Sequence, residues 1–256
     1  MPPKKVIREV KIHEFRVEDL PLACAILIIA PPGSGKSTLA ENLVYYRKHL
    51  YPVAKVFIGT EDDYDKLKKI FHPLFVNYGY SEDQVDEFLK RQKQQALTYK
   101  DKEALERRAV LWFDDLSDNI KVWENPNIIA LSKNGRHFSL LSIYCSQTAK
   151  DFPPAFRSSV SYVALGRNME VEERKKMFLA YGSICGNQRK FDDLMDQVAT
   201  KHTFLIIKKR SDTNIMEECV FWFQSKILPP WTFGSNEYKR WGEARYNKNY
   251  EENIFA

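Results

Sequence analysis

One stretch near the amino end constrains the fold more than any other. Residues 23–30 read Ala-Cys-Ala-Ile-Leu-Ile-Ile-Ala without polar alternation, which is typical of a strand buried on both faces of a parallel sheet. A glycine-containing loop follows, and residues 36–50 then carry apolar side chains at helical spacing and end before Pro52. A buried strand, a tight loop and a helix in this order indicate an α/β fold.

Further short apolar segments recur along the chain and are separated by mostly helical connections. We predict strands at 53–59, 109–113, 140–145 and 162–165. Together with the first strand they indicate a doubly wound, mostly parallel, twisted sheet flanked by helices. Two later segments, 202–208 and 218–223, flank the turn-forming residues 211–214 and predict a β-hairpin added to the sheet edge.

We interpret the 256 residues as one domain with its core at about 23–225. The highly charged segment at about 61–108 is predicted to be a helical insertion, because Ser81 and Gln84 form a capping-box pattern ahead of an apolar stripe. A C-terminal tail at about 226–256 alternates aromatic and charged residues without a clear period, so no structure is assigned to it.

Composition limits the classes of function. With 39 basic and 34 acidic residues the net charge is +5, which permits a nucleic-acid partner without requiring one. The longest apolar run, 23–30, is far shorter than the ~20 residues of a membrane span, and the charged amino end lacks the apolar segment of a secretory signal. We therefore expect a cytosolic protein. Widely spaced cysteines, without zinc-site spacing, are expected to pack in the core of a protein in a reducing compartment: Cys24, Cys145, Cys185 and Cys219.

The loop after the first strand carries the clearest chemical signal. Residues 30–38 read Ala-Pro-Pro-Gly-Ser-Gly-Lys-Ser-Thr and match the P-loop pattern G-x-x-x-x-G-K-[ST], except that Ala30 replaces the first glycine. Glycines let backbone N–H groups surround phosphate oxygens, Lys36 reaches the β and γ phosphates, and Ser37 offers a hydroxyl to Mg²⁺. The predicted nucleotide-binding residues are Pro32, Gly33, Ser34, Gly35, Lys36, Ser37 and Thr38.

Two later strands end in polar side chains. Asp114 and Asp115 end the strand at 109–113, and in P-loop enzymes an acid at this place holds the Mg²⁺ shell. We assign that role to Asp114 and the role of general base to Asp115; the alternative is a pair of solvated acids that begin a loop. Gln147 follows the strand at 140–145, where a γ-phosphate sensor belongs, although a simple turn residue also fits.

Three blocks, 30–38, 110–115 and 135–147, together resemble the HerA/FtsK superfamily of DNA-pumping ATPases. Within it they most resemble the genome-packaging ATPases of large nucleocytoplasmic DNA viruses, the poxvirus type. The resemblance covers about 23–167, and the hairpin at 202–223 fits it as well. Its specific element is an arginine eleven positions before a strand-terminal glutamine, in the order P-loop, acidic strand, arginine, glutamine. It implies a RecA-like P-loop NTPase fold.

The resemblance implies the same roles for the phosphate loop, Asp114, Asp115 and Gln147, and it places Lys36 among the catalytic residues. It also implies a role for one further residue. Arg136 is implied to be an arginine finger that reaches the nucleotide of a neighbouring subunit; Arg157 and Arg167 are weaker alternatives. Cellular relatives usually carry Glu where this chain has Asp115. The side chain is one methylene shorter, so the position of the attacking water is expected to differ.

The implied function is a packaging motor that uses ATP and Mg²⁺ to move double-stranded DNA into a viral capsid. The implied partners are DNA, further copies of the chain in a pentameric or hexameric ring, and capsid or portal-vertex proteins. The expected location is the virus assembly site in the host cytoplasm, or the virion.

Two other functions remain open from the residues alone. A nucleotide kinase shares this loop, although it needs an Arg-rich lid, for which Arg167, Arg174 and Arg189 are the available cations. A nucleotide switch that binds ATP without turnover is the other, and it has no need of a water-activating acid.

Overall fold

The computed structural model describes residues 12–101, 103–198, 200 and 202–247, without the side chains of 117–120. The strands are β1 (His13–Glu14), β2 (Cys24–Ile29), β3 (Val53–Ile58), β4 (Val76–Tyr78), β5 (Ala109–Asp114), β6 (Leu140–Ser146), β7 (Tyr162–Gly166), β8 (Thr203–Lys208) and β9 (Val220–Gln224). The α-helices are α1 (Lys36–Arg47), α2 (Glu61–Lys68), α3 (Glu82–Thr98), α4 (Pro126–Asn134), α5 (Pro154–Ser159), α6 (Val171–Tyr181), α7 (Gln188–Gln197) and α8 (Asn236–Glu243). The amino end, where no signal sequence is expected, and residues 248–256 of the tail lie outside the described residues.

These strands form one sheet in the order β1-β9-β8-β7-β2-β6-β5-β3-β4. All six residues of β2 are buried, and β2 lies between β6 and β7 with parallel pairing on both sides. Parallel pairing continues from β6 to β5 and β3. The predicted mostly parallel α/β sheet is therefore confirmed, and the central place of β2 explains its apolar run.

The predicted hairpin is formed by β8 and β9, which pair antiparallel, and β8 joins the sheet antiparallel to β7. Its expected place at the edge is wrong, because β1 pairs parallel with β9 and lies outside it. A strand of two residues is too short to show any alternation in the sequence.

The segment predicted as a helical insertion also contains the strand at the other edge of the sheet, opposite β1. The Ser81 hydroxyl accepts a hydrogen bond from the Gln84 N–H (3.4 Å) at the start of α3, as the capping pattern predicted. Between α2 and α3, however, β4 pairs parallel with β3. The segment is thus an α-β-α extension of the sheet and not helices alone.

Two apolar layers cover the faces of the sheet. The layer formed by α1, α2 and the segment after β9 contains Trp112 and Phe71, and the layer formed by α3 to α7 is centred on Trp123, Tyr144 and Phe156. As predicted, the four cysteines are buried and free. Among the helices that the structure describes, none has the length and apolar character that crossing a bilayer requires.

The described part of the tail, residues 226–247, packs on the first of these faces. Phe233 is fully buried, and its ring lies 5.0 Å from that of Phe71. Its N–H donates to the Ile70 carbonyl (2.9 Å), and the Tyr238 hydroxyl donates to the Ala54 carbonyl (3.2 Å). These contacts make the tail part of the core, which explains why its aromatic residues show no surface pattern.

We predict that Phe233→Ala lowers the free energy of unfolding by about 3–5 kcal/mol, the range for a fully buried phenylalanine. Denaturant titration measures the change. Ile227→Ala is the control, since Ile227 lies in the same segment but is 90% exposed, and it should alter stability by less than about 0.5 kcal/mol. Equal stability of the two variants would contradict the packing of the tail.

Candidate nucleotide site

The loop between β2 and α1 folds around two glycines. Gly33 has φ 70° and Gly35 has φ 96°, left-handed values that L side chains rarely adopt. Gly35 is also the residue that precedes the first turn of α1. The loop therefore curls back at the amino end of the helix, where N–H groups and the helix dipole favour an anion.

The alanine that departs from the P-loop pattern is accommodated by another glycine. Ala30 is fully buried, and a Cβ placed on Gly166 of the neighbouring strand β7 would lie only 2.4 Å from the Ala30 Cβ. Gly166 therefore leaves room for the Ala30 methyl group, which a glycine at position 30 would not need.

The first turn of α1 meets an acid that the sequence analysis missed. Lys36 is 6% exposed, and the Ser37 hydroxyl donates to Asp63 Oδ2 at 3.3 Å. The Thr60 hydroxyl donates to the same oxygen at 3.2 Å. A signal was available, because an acidic run follows β3 and the strand beside β3 ends in Asp114.

Asp114 is the last residue of β5 and is fully buried. Neither of its carboxylate oxygens has a hydrogen-bond partner among the described residues. Burial raises its pKa to about 7, and the nearby Asp63 carboxylate adds to the rise. Two unpaired carboxylate oxygens close to the Ser37 hydroxyl are the oxygen donors that Mg²⁺ prefers, so these residues fit the ion.

Asp115 and Gln147 are in contact at the edge of the sheet formed by the carboxyl ends of the strands, just after β5 and β6. Asp115 has φ 47°, a left-handed value, and the Gln147 side-chain N–H₂ donates to both of its carboxylate oxygens at 3.0 Å. The pairing of β5 with β6 places Asp114 beside Cys145, which brings the residues after each strand together. An acid and an amide are thus held in contact one residue beyond the buried Asp114.

A second residue that the sequence analysis missed allows this turn. A Cβ on Gly59, directly after β3, would lie 1.9 Å from the Asp115 carbonyl oxygen. The Gly59 N–H donates to the Asp114 carbonyl at 2.9 Å. The backbone of Asp115 therefore needs a glycine beside it, and a glycine at the end of the neighbouring strand was the available sign.

Arg136 is not brought to this edge. It is exposed in the turn before β6, whereas Gln147 follows the other end of that strand. Seven strand residues span roughly 20 Å at about 3.3 Å each. Arg136 lies instead near Arg210, whose pKa is lowered by burial and by the Arg136 charge.

Solved structures share this architecture. The genome packaging NTPase B204 of Sulfolobus turreted icosahedral virus 2, in complex with AMP, superposes with a TM-score of 0.58 at 14% identity, over 81% of this chain and all of B204. Its complex with ATP-gammaS gives 0.55 at 16% identity, over 81% and 100% of the two chains. ATPases 2 and 3 of EssC from Geobacillus thermodenitrificans give 0.55 at 14%, over 90% of this chain and 45% of EssC. The fold is that of the P-loop ATPases.

Sequence relatives are closer. Uncharacterized protein 075L of Invertebrate iridescent virus 6 is 34% identical over 232 residues, which are 89% of this chain and 88% of the relative. Uncharacterized protein L437 of Acanthamoeba polyphaga mimivirus is 26% identical over 245 residues, or 94% and 86% of the two chains. Residues 13–227 match the model of the family described as Poxvirus A32 protein. The chain therefore belongs to the poxvirus A32 protein family.

Proposed function

We propose that this protein is a genome-packaging ATPase that hydrolyses ATP and couples hydrolysis to the movement of double-stranded DNA into a viral capsid. The observation that carries the proposal is the contact between Asp115 and Gln147 at the sheet edge that bears the P-loop. The family of the chain and the similarity of its fold to the genome packaging NTPase B204 support the proposal.

The loop would hold the phosphates of ATP. Residues 32–38 would present their N–H groups to the phosphate oxygens, and the amino end of α1 adds its dipole. Lys36 would place an ammonium group on the β and γ phosphates, since its main chain begins α1.

Mg²⁺ would be held by the Ser37 hydroxyl and the Asp114 carboxylate together with phosphate oxygens, and when bound it neutralises phosphate charge. Asp63 would orient the Ser37 hydroxyl through their hydrogen bond. Among the described residues no group of three or more His, Cys, Asp or Glu side chains is placed to hold a metal. A site of few protein ligands, completed by phosphate and water, is the usual arrangement for Mg²⁺.

Hydrolysis would use the contact of the acid with the amide. Asp115 would accept a proton from the attacking water at one carboxylate oxygen. Gln147 would hold that carboxylate through the hydrogen bonds described above and present its amide toward the γ-phosphate. An ATP-binding switch without turnover has no need of such a pair, so the geometry favours an enzyme.

Arg136 would act on the nucleotide of another copy. Its place at the amino end of β6 separates it from the phosphate loop of its own chain by the height of the sheet. A ring in which this edge of one subunit faces the P-loop of the next would bring the guanidinium to the transferring phosphoryl group. We propose such a ring, of five or six copies.

DNA would meet the summed charge of these copies, each with a net charge of +5. Candidate contacts to the phosphate backbone are Lys208, Lys209 and Arg210 of the hairpin and the lysines of the 61–108 segment, with ordinary surface charge as the alternative for both groups. Capsid or portal-vertex proteins would recruit the ring at the virus assembly site in the host cytoplasm, or within the virion.

Arg174, one of the three candidate lid arginines of the nucleotide-kinase alternative, is held in structural contacts. Arg174 pairs with Asp196 (2.7 Å), and its Nε donates to the Asn168 carbonyl (2.6 Å). These contacts hold the guanidinium in the packing of α6 against α7, whereas a kinase lid must close on its substrate.

Asp114→Asn should stabilise the metal-free protein while abolishing Mg²⁺-dependent ATP binding. The carboxyl has a pKa of about 7 in the fold and an ordinary value of 3.8, so between these pH values the folded chain holds a proton that the unfolded chain has released. The contribution of this carboxyl to wild-type stability therefore falls as pH rises, and the advantage of the neutral variant should grow by about 1.4 kcal/mol per pH unit between about pH 5 and 7.

Urea unfolding with a chelator across this pH range measures the difference. Asp62→Asn, a change at an exposed residue of α2, is the control and should show no such trend. If the two variants behave alike, the Asp114 carboxyl is not the buried ionisable group described here.

Arg136→Ala should leave ATP affinity near that of the wild type and reduce turnover about 10³-fold or more. Mixing it with Asp115→Asn protein should restore part of the ATPase rate, because a mixed interface combines an intact finger with an intact base. The control is Lys133→Ala, at an exposed cation three residues earlier. Absence of rescue at every mixing ratio would refute an arginine acting between subunits.

Double-stranded DNA should raise the steady-state ATPase rate, and the stimulation should decline as salt is increased, since backbone contacts release counterions. Lys36→Ala protein, which lacks the main phosphate cation, should bind no ATP and show no stimulation. Stimulation by a small phosphoryl acceptor, with DNA inert, would instead establish the kinase.

A further inference from the structure

A histidine that no sequence motif singled out lies against the phosphate loop. A Cβ built on Gly35 would lie 2.4 Å from His202 Nδ1 and 3.1 Å from its Cε1. The imidazole therefore fills the space beside the residue that immediately precedes Lys36. Gly35 is required twice, for its left-handed backbone and for the room that this ring occupies.

The backbone of His202 is itself held in an uncommon conformation. Its φ is 65°, in the left-handed region, which costs on the order of 1 kcal/mol for a residue with a side chain. Both the N–H (2.9 Å) and the hydroxyl (3.1 Å) of Ser225 donate to the His202 carbonyl. The ends of β8 and β9 thus fix the residue in the orientation that points its ring at the loop.

A buried asparagine joins this arrangement to the helix that follows the loop. The Asn42 side chain is fully buried in α1, and its N–H₂ donates to the carbonyls of Thr38 and Lys226 at 2.8 Å. The Lys226 N–H donates back to the Asn42 side-chain oxygen at 2.9 Å. Since Lys226 directly follows Ser225, which donates to the His202 carbonyl, these hydrogen bonds connect the backbone of His202 to α1.

The ring of His202 has a buried nitrogen without a partner. His202 Nδ1 is buried and has no hydrogen-bond partner among the described residues. A buried polar nitrogen without a partner is costly, and this one lies where a side chain on Gly35, the residue before the first turn of α1, would stand. Phosphate oxygens are strong acceptors for an imidazole N–H.

We propose that His202 contacts the nucleotide: in the tautomer with its proton on Nδ1, the ring donates a hydrogen bond to a phosphate oxygen of the nucleotide held by residues 30–38. This inference rests on the nucleotide site of the proposed function. It assigns a residue of the β8–β9 hairpin to the phosphate chain, whereas the loop motif covers only residues of α1 and the turn before it.

Two variants of nearly equal shape test the contact. Asn and Asp both tolerate left-handed backbone, but only Asn can donate from the position of Nδ1, and Asp adds a negative charge. His202→Asn should bind ATP within about threefold of wild type, while His202→Asp should weaken binding by about tenfold or more. Isothermal titration calorimetry measures both, and thermal unfolding verifies that each variant is folded.

Inorganic pyrophosphate, used to displace a fluorescent ATP analogue, identifies the part of the nucleotide that is contacted. His202→Gly keeps the backbone conformation without the ring and should weaken ATP and pyrophosphate by a similar factor. Loss for ATP alone would place the ring on the ribose or base and overturn the proposal. Equal affinities of the Asn and Asp variants would also overturn it, since a structural role does not distinguish them.

Wild-type protein and Lys36→Ala separate this proposal from the one it rests on. If wild type binds ATP and Lys36→Ala does not, the nucleotide site stands, and equal affinities of the Asn and Asp variants refute His202 alone. If wild type binds no ATP, the proposed function and the His202 contact fall together.

Discussion

The register of three parallel strands determines where chemistry can occur in this protein. Ile29 at the end of β2 pairs with Ser146 of β6, and Asp114 at the end of β5 pairs with Cys145. Because the strands end level, the phosphate loop, the buried acid and Gln147 all emerge at one edge of the sheet. A shift of one residue in either pairing would move Asp114 or Gln147 by about 3.3 Å along the strand and exchange the faces of its neighbours.

Close packing at that edge depends on glycines that leave room for particular neighbours. Gly166 leaves room for Ala30, Gly59 for the Asp115 carbonyl and Gly35 for the His202 ring. In each pair the glycine lies on one element and its neighbour on another, so the loop and the turns are fixed by contact between strands. Left-handed residues such as Asp115 and His202 persist because the surrounding backbone leaves them no alternative.

The sequence was sufficient to predict the elements whose pattern is local. The apolar run of β2, the loop after it and the acids after β5 each carry their own signal, and the sheet has the predicted class. Contacts between distant segments leave no local pattern in the sequence. The strand β1 is only two residues long, and the spacing of the tail aromatic residues is explained only by their packing on Phe71. His202 lies against Gly35 only because β8 pairs antiparallel with β7. Asp63 and Gly59 are intermediate in predictability, since both follow the end of β3, the strand next to the one that ends in Asp114.

In the proposed ring, the groups at the carboxyl ends of the strands (the carboxyl edge) and Arg136 at the amino ends (the amino edge) would act on one nucleotide from two different copies of the chain. The carboxyl edge carries the groups that would bind ATP and activate water, and the exposed cation that the resemblance assigns to the transition state, Arg136, lies at the amino edge. No motion within a rigid β6 brings the two together, because the strand itself separates them. If Arg136 does act on the phosphoryl group, then assembly is a condition of turnover, and a single free subunit would hold ATP without consuming it.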